Sequence, residues 1–170
     1  MKPKYLFSDI TKLFSVGVSQ QITVKEMTED VHKYKVNVEW KHGKVGDLSI
    51  EGKPKIEIAT PPDFDGPEGI ISPEDLFVAS ATSCLMTTFL TFTKKMHFDF
   101  KSFSCEGHGT LERVEKGFQF TKLVLKAKVK VESEDLKPKA ERALELAGKY
   151  CLVSNSMKCP TEHVNEVMVG

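Results

Sequence analysis

The 170-residue sequence lacks three features that would each place it in a familiar class of protein. It has 24 basic and 24 acidic residues and no basic block, so we do not expect nucleic acid or an anionic membrane as its main partner. It has no run approaching about 20 uninterrupted apolar residues, so we expect no membrane-spanning segment. Asp9 and Lys12 interrupt the first part of the chain, so we expect no signal peptide. Together these absences predict a soluble globular protein of the cytoplasm.

Cysteine is scarce, and its four positions contain no Cys-x-x-Cys pair: Cys84, Cys105, Cys151 and Cys159. A structural zinc site normally needs such a closely spaced pair of thiolates, so we expect no metal and no other cofactor. In a reducing cytoplasm a disulfide is usually transient and catalytic. The composition therefore allows redox chemistry without yet indicating it.

The pattern of apolar residues predicts a domain over residues 31–170, preceded by an N-terminal arm of residues 1–30. Helices are predicted from Ser72 to about Lys95 and from about Ser133 to Tyr150. Strands are predicted near residues 32–40, 48–50, 55–59, 99–112, 118–132 and 163–169. Strands and helices do not alternate as they do in parallel α/β folds. We therefore predict an α+β fold with a largely antiparallel sheet.

The first predicted helix is the expected centre of the fold. Ser72 is a suitable N-cap, Pro73 suits the first helical position, and Glu74 faces the positive end of the helix dipole. Beyond the first turn the polar residues are mostly small hydroxyls rather than charges. This composition predicts a helix that is buried on nearly all sides.

Cys84 lies in the middle of this helix, about 16 Å along its axis from Pro73. The helix dipole acts only within the first turn and burial disfavours a thiolate, so a reactive Cys84 needs a cation from another part of the structure. Glu74 is also about 15 Å away along the axis, so the two side chains cannot touch within one helix. If both belong to one site, Glu74 has to come from the second subunit of a two-fold dimer.

Cys151 lies at the exit of the second predicted helix, where the negative end of the dipole disfavours a thiolate. This position suits a resolving thiol better than an attacking one. Two interpretations of Cys84 and Cys151 stay open at this point. They form a dithiol redox pair if the fold brings them together, and otherwise they are two small hydrophobic residues.

The remaining candidates have simpler interpretations. Cys105 lies on a phenylalanine-rich strand, which predicts a place in the core. Cys159 precedes Pro160 and is expected to be a loop thiol. The histidines have no partner spacing for a metal, so solvated or structural roles are expected for His97, His108 and His163.

The residues around Cys84 and Cys151 resemble the OsmC/Ohr superfamily, the osmotically induced and organic hydroperoxide resistance proteins. The first match is the helix signature Pro73-Glu74-Asp75-Leu76-Phe77 with Ala79, Ala81 and Cys84. The second is Cys151-Leu152-Val153-Ser154-Asn155, which has Leu152 where proline is usual. The order of predicted elements agrees with the superfamily over roughly residues 30–170.

This resemblance implies a fold, an assembly and an activity. The fold would be largely antiparallel sheets wrapped around two long central helices in an intertwined homodimer. The activity would be thiol-dependent reduction of organic hydroperoxides, with Cys84 as the peroxidatic cysteine, Cys151 as the resolving cysteine and Glu74 as the acidic member of the site. A dithiol reductant would reopen the resulting disulfide. The pocket would lie at the dimer interface, with apolar walls from Phe77, Leu85 and Met86.

The sequence departs from the superfamily in its arginines. Family peroxidases hold the thiolate with an arginine from ahead of the helix motif, whereas here Arg113 and Arg142 both follow it. The candidates to take its place from ahead of the motif are Lys41, Lys44, Lys53 or Lys55, with His32 and His42 as weaker candidates. An ammonium lacks the planar fork of a guanidinium. The alternative function is therefore a non-catalytic binding module of the same fold that holds an apolar small molecule at the dimer interface, and metal binding is a third class that the cysteine spacing disfavours.

Overall fold

The computed structural model describes residues 31–170, and the predicted N-terminal arm of residues 1–30 lies outside them. Residues 35–170 form one unit that combines helices and strands, so the predicted α+β class is confirmed. Its elements are β1 (Asn37–His42), β2 (Val45–Ser49), β3 (Ile56–Ala59), α1 (Pro73–Lys95), β4 (Ser102–Val114), β5 (Gly117–Val131), α2 (Lys137–Tyr150), α3 (Leu152–Ser156) and β6 (Thr161–Val169).

The strands form two separate three-stranded sheets. In the first sheet β1, β2 and β3 follow one another as antiparallel neighbours. In the second sheet β5 is central, pairing antiparallel with β4 across a long hairpin and parallel with β6. The strand pairing is therefore largely antiparallel, as predicted. The parallel pairing of β6 is possible because α2 and α3 carry the chain back along the sheet before β6 begins.

The core lies between the second sheet and the long helices. On β5 the residues facing the helices are fully buried: Leu123, Leu125, Ala127, Val129 and Val131. The intervening lysines, Lys122, Lys126 and Lys128, are exposed, so the predicted alternation of a dry and a wet face is confirmed. Phe89 of α1 completes the core, with its ring centroid 5.1 Å from that of Phe103.

Helix α1 begins as predicted, at a reciprocal cap. The Ser72 hydroxyl accepts a hydrogen bond from the Asp75 N–H, and the Asp75 carboxylate accepts one from the Ser72 N–H. Two orphan donors of the first turn are thereby satisfied. By length and composition α1 is also able to cross a membrane, a property that it shares with the core helices of soluble proteins.

The prediction that α1 is buried on nearly all sides is wrong for the single chain. Its buried residues form one stripe at four-residue spacing, Ala81, Leu85, Phe89 and Thr93. The second sheet and α2 cover this stripe, whereas Met86, about 100° around the helix from Leu85, is 39% exposed. Small hydroxyl residues satisfy their own polar groups by bonding to helix carbonyls, as Ser83 does with Ala79. An uncharged helix face therefore does not have to be covered by its own chain.

A glycine on β4 fixes how α1 is oriented. A Cβ atom at Gly107 would lie 2.1 Å from Thr82 Oγ1 and 3.0 Å from Val78 Cγ1, so only glycine allows the helix to approach the strand this closely. Cys84 is two residues after Thr82, about 200° further around the helix. The contact between Thr82 and Gly107 therefore directs Cys84 away from β4.

Candidate thiol site

The structure brings Cys84 and Cys151 together. Cys84 lies in the middle of α1, and Cys151 lies in the single-residue break between α2 and α3. Helix α1 packs against both α2 and α3, and the two thiols are close enough to interact with each other. Both are free thiols, with Cys84 half-buried and Cys151 fully buried.

Cys151 has two positional roles in the backbone. Its extended conformation, with φ −64° and ψ 108°, ends α2 and at the same time makes it the N-cap residue of α3. The exit from α2 was predicted, but α3 was missed. A helix of five residues is too short to show an apolar period, and Leu152 at its first position gives no proline signal for a helix start.

The surroundings of Cys84 favour its thiolate. Partial burial raises the pKa of the Cys84 thiol, but nearby polar groups outweigh burial and the net pKa is lowered. These groups are the backbone N–H of Val153, the thiol of Cys151, the hydroxyl of Thr88 and the backbone N–H of Leu152. Within the described chain, donors from α3 and from α1 itself therefore stabilise the thiolate, where the sequence had led us to expect a cation.

The pKa of Cys151 is shifted in the opposite direction. Burial raises the pKa of the Cys151 thiol, and the neighbouring Cys84 raises it further. The hydroxyl and the backbone N–H of Ser154 act against this shift without reversing it. Of the two thiols, Cys84 is therefore the more readily ionised.

Cys84 lies in the wall of a cavity of about 710 Å³. The cavity follows the second half of α1, and the ends of α2 and α3 form its other side. Its further lining residues are Thr87, Thr88, Thr91, Phe92, Lys95, Leu146, Tyr150 and Leu152. Aromatic and aliphatic surfaces with a few hydroxyls suit an organic molecule that carries a small polar group.

The three wall residues proposed from the sequence do not line this cavity. Leu85 is fully buried in the core. Phe77 stacks on Phe120, with 4.4 Å between ring centroids, in a different part of the chain. Met86, two residues after Cys84, is not among the residues around the cavity.

Glu74 lies in a second cavity, of about 700 Å³, at the start of α1. Its Oε2 atom is buried and has no hydrogen-bond partner among residues 31–170. Within the single chain Glu74 therefore does not join the two cysteines, as the helix rise requires. A buried carboxylate oxygen without a partner is unusual in a folded protein and points to a group from outside residues 31–170.

Three of the four candidate lysines ahead of the helix motif form ion pairs away from Cys84. Lys41 Nζ lies 2.6 Å from Glu57 Oε1 and Lys55 Nζ lies 3.4 Å from Asp47 Oδ2. Lys44 contacts Asp65 at 3.7 Å. None of these lysines lines the Cys84 cavity.

The lysine that does line the cavity, Lys95, was missed in the sequence. It lies about 16 Å along α1 from Cys84, at the far end of the cavity, with its Nζ 5.5 Å from the centroid of the Phe92 ring. It is not among the groups that shift the pKa of Cys84. Its eleven-residue spacing from Cys84, close to three full turns, was the available signal that the two share a helix face.

The arginines are also remote from Cys84. Arg113 lies over the Phe118 ring at 5.3 Å, near the turn of the β4–β5 hairpin. Arg142 pairs with Glu145 at 2.8 Å on the surface of α2. Neither residue lines the cavity.

The other two cysteines have different surroundings. Burial raises the pKa of Cys105 to about 11, so this thiol is a poor nucleophile at neutral pH. It packs against the core from β4, as predicted. Cys159 lies in the loop before β6, as predicted, but it is buried rather than open to solvent. No group of three or more metal-ligating side chains occurs within the part of the chain that the structure describes.

Residues 66–164 match the family model described as OsmC-like protein. The match covers more than half of the chain. The chain belongs to the OsmC-like family. This OsmC-like chain has no significant match among curated proteins.

Solved structures of OsmC-like proteins share the fold of this family member. An OsmC-like protein of unknown function from Vibrio cholerae O1 biovar eltor is 26% identical, with a TM-score of 0.70 over 81% of this chain and 100% of that one. An organic hydroperoxide resistance protein OsmC from Legionella pneumophila is 21% identical, with a TM-score of 0.65 over 81% and 98%. The organic hydroperoxide resistance protein OhrB of Bacillus subtilis is 20% identical, with a TM-score of 0.57 over 80% and 98%. At these identities the last two show the fold alone.

Proposed function

We propose that this OsmC-like chain is a thiol-dependent peroxidase that reduces organic hydroperoxides. The observation that carries the proposal is the pair of thiols with opposite surroundings. Cys84 opens into an organic-sized cavity and has a lowered pKa, and the buried Cys151 beside it has a raised pKa. An attacking thiolate and a resolving thiol need this difference. The hydroperoxide resistance proteins among its structural relatives support the substrate class.

The chemistry follows from the two positions. The Cys84 thiolate attacks an oxygen of the hydroperoxide, the O–O bond breaks, and the departing alkoxide takes a proton to become an alcohol. Cys84 is then a sulfenic acid. The Cys151 thiol attacks its sulfur, water leaves, and a Cys84–Cys151 disulfide forms. A dithiol of the cytoplasm reduces this disulfide and completes the cycle.

The complete site belongs to a homodimer in which a second copy contributes Glu74. The first sheet supports this assembly because all of β1 is exposed, including Trp40 at 75% and Val38 at 56%. The outer face of α1 is also uncovered at Met86. Contiguous exposed apolar side chains of this kind mark interaction surfaces. Dilution to a folded, stable monomer would contradict the assembly.

The experiment that tests the function counts thiols before and after one equivalent of an organic hydroperoxide and maps any crosslink by peptide mass. The expected result is a fall from four thiols to two, with Cys84 joined to Cys151. Cys84→Ser should abolish peroxide consumption, and Cys151→Ser should leave a sulfenic acid that a small thiol traps. Full turnover by Cys84→Ser would end the proposal.

A non-catalytic binding module is the second candidate, and the position of the arginines favours it. Neither Arg113 nor Arg142 lies at the Cys84 cavity, and Lys41, Lys44 and Lys55 form ion pairs elsewhere. The cavity would then hold an apolar small molecule without chemistry. Four thiols remaining after prolonged exposure to hydroperoxide would support this alternative over the peroxidase.

A further inference from the structure

The two sulfurs of the Cys84–Cys151 pair differ in their access from outside. Cys84 lies in the wall of the 710 Å³ cavity, whereas Cys151 is fully buried and does not line it. Thiol–disulfide exchange depends on which sulfur is attacked and on access to that sulfur. The fold therefore discriminates between the two ends of the disulfide once it has formed.

We propose that the reductant enters the cavity and attacks the sulfur of Cys84, and that Cys151 departs as a thiolate that Ser154 stabilises. This inference rests on the proposed peroxidase function. It adds the place where the reductant acts and a positioning role for Ser154.

The electrons balance as follows. A thiolate of the dithiol reductant bonds to Cys84, the Cys84–Cys151 bond breaks, and its electron pair leaves with Cys151, which then takes a proton from solvent. The second thiolate of the reductant attacks the reductant sulfur of the mixed disulfide and releases the Cys84 thiolate. One disulfide is broken in the protein and one is formed in the reductant.

Ser154 is placed to receive the leaving thiolate. It is the third residue of α3, after Cys151 as N-cap, and it is buried with 8% exposure. Its hydroxyl donates a hydrogen bond to the Cys151 carbonyl oxygen at 3.4 Å, and the sulfur of Cys151 accepts no capping hydrogen bond from α3 while it is a thiol. When the sulfur of Cys151 becomes charged, the hydroxyl can turn to it from the carbonyl, and the N–H at this third position of α3 is a donor from which an N-cap side chain accepts. Hydrogen bonds to a charged sulfur are stronger than those to a neutral one.

The chemistry of leaving groups opposes this order, but access to the two sulfurs favours it and is the stronger effect. A thiol with a lower pKa leaves faster, which alone would favour departure of Cys84 and attack on Cys151. However, Cys151 lies between α2 and α3 with no exposed surface, so attack on it requires α3 to open. Attack on Cys84 requires no such opening, because the cavity already reaches this residue.

The test forms the disulfide with diamide, so it does not depend on reaction with a peroxide. A short pulse of 2-mercaptoethanol is then quenched with N-ethylmaleimide, and the peptides are mapped. The expected product carries 2-mercaptoethanol on Cys84 and N-ethylmaleimide on Cys151. The reverse labelling would overturn the proposal and show that α3 opens. Failure of diamide to join the two cysteines would also overturn it, since the proposal requires that bond.

This design separates the inference from the function on which it rests. A disulfide that forms with diamide but not with a hydroperoxide would end the peroxidase proposal, and the labelling pattern would still decide which sulfur is attacked.

The role of Ser154 is tested with Ser154→Ala and a matched control, Ser156→Ala. The Ser156 hydroxyl donates to the Leu152 carbonyl at 2.8 Å on the exposed side of the same helix. We expect Ser154→Ala to slow reduction of the disulfide by about fivefold, the factor for one lost hydrogen bond, and Ser156→Ala to leave it unchanged. In a Cys84→Ser background, Ser154→Ala should also move the alkylation of Cys151 to higher pH. An unchanged reduction rate in Ser154→Ala would remove Ser154 from the proposal.

Discussion

The hydroxyl oxygen of Thr88 lies 3.9 Å from the sulfur of Cys84, one turn further along α1. It is the donor that the helix itself supplies to the thiol, whereas the N–H groups of Leu152 and Val153 come from α3. Two parts of the chain that are remote in sequence therefore share the stabilisation of one sulfur. Each contribution can be removed separately, because one is a side chain and the others are backbone.

Removing the Thr88 hydroxyl should make Cys84 less reactive. Thr88→Val keeps the shape of the side chain and loses a donor to the thiolate, so the pKa of Cys84 should rise. We expect the rate of alkylation by iodoacetamide at neutral pH to fall about fivefold, which corresponds to roughly 1 kcal/mol for one hydrogen bond. Thr91→Val is the matched control, because Thr91 lines the same cavity but donates to the Thr87 carbonyl at 3.1 Å. Equal rates in all three proteins would leave α3 as the source of the lowered pKa.

Removing one backbone N–H donor of α3 should also raise the pKa of Cys84 and make it less reactive. Leu152→Pro deletes an N–H at the first position of α3, where proline fits a helix, and the extended backbone of Cys151 suits a residue before proline. The Leu152 side chain is 79% exposed, so its loss should cost little stability. We expect the pH–rate profile of Cys84 alkylation to move to higher pH, with a drop of a few-fold at neutral pH.

Leu152→Ala is the control for the change of side chain, since it keeps the N–H. If Leu152→Ala slows alkylation as much as Leu152→Pro, the side chain rather than the N–H matters at this position.

The sequence predicted the long elements well because their patterns repeat many times. The alternation along β5 and the cap at Ser72 each gave several agreeing signals. The site was harder to predict because its decisive parts are short or distant in sequence. Helix α3 has five residues, and its N–H groups carry no side-chain signal at all. The uncovered face of α1 could not be anticipated either, because composition does not say whether an uncharged face is covered by its own chain or by another molecule.

The contact between Gly107 and Thr82 should be important for stability. In Gly107→Ala the new Cβ would lie 2.1 Å from Thr82 Oγ1, so α1 has to move away from β4. We expect the free energy of unfolding to fall by about 1–3 kcal/mol, measured by urea denaturation. Thr82→Ala removes the clashing oxygen, so the double variant should lose less than the two single variants combined. If the losses of stability in the two single variants simply add in the double variant, the clash with Thr82 is not what separates α1 from β4. The 3.0 Å approach of the new Cβ to Val78 Cγ1, which remains in the double variant, would then be the cause.

His163 should contribute to the loss of protein stability in acid. Burial lowers the pKa of His163 below its usual 6.5, and its Nδ1 is buried without a hydrogen-bond partner among the described residues. The ring packs tightly against α2, because a Cβ at Gly148 would lie 3.1 Å from it. In the unfolded chain the imidazole regains its ordinary pKa, so the unfolded state binds a proton more readily than the folded state. The contribution of His163 to stability is therefore complete above pH 6.5 and is lost progressively as the pH falls from there through the lower pKa of the folded state.

Urea denaturation at about pH 7.5 and pH 5.5, on either side of the ordinary histidine pKa, should measure this contribution. Wild-type protein should lose more stability between these values than His163→Gln, in which the titrating group is absent. His42→Gln is the matched control, because His42 is an exposed histidine at the end of β1. The stability of this variant should depend on pH as that of wild type does. Identical losses in wild type and His163→Gln would show that the His163 ring reaches solvent in the folded protein, and would place the acid sensitivity elsewhere in the chain.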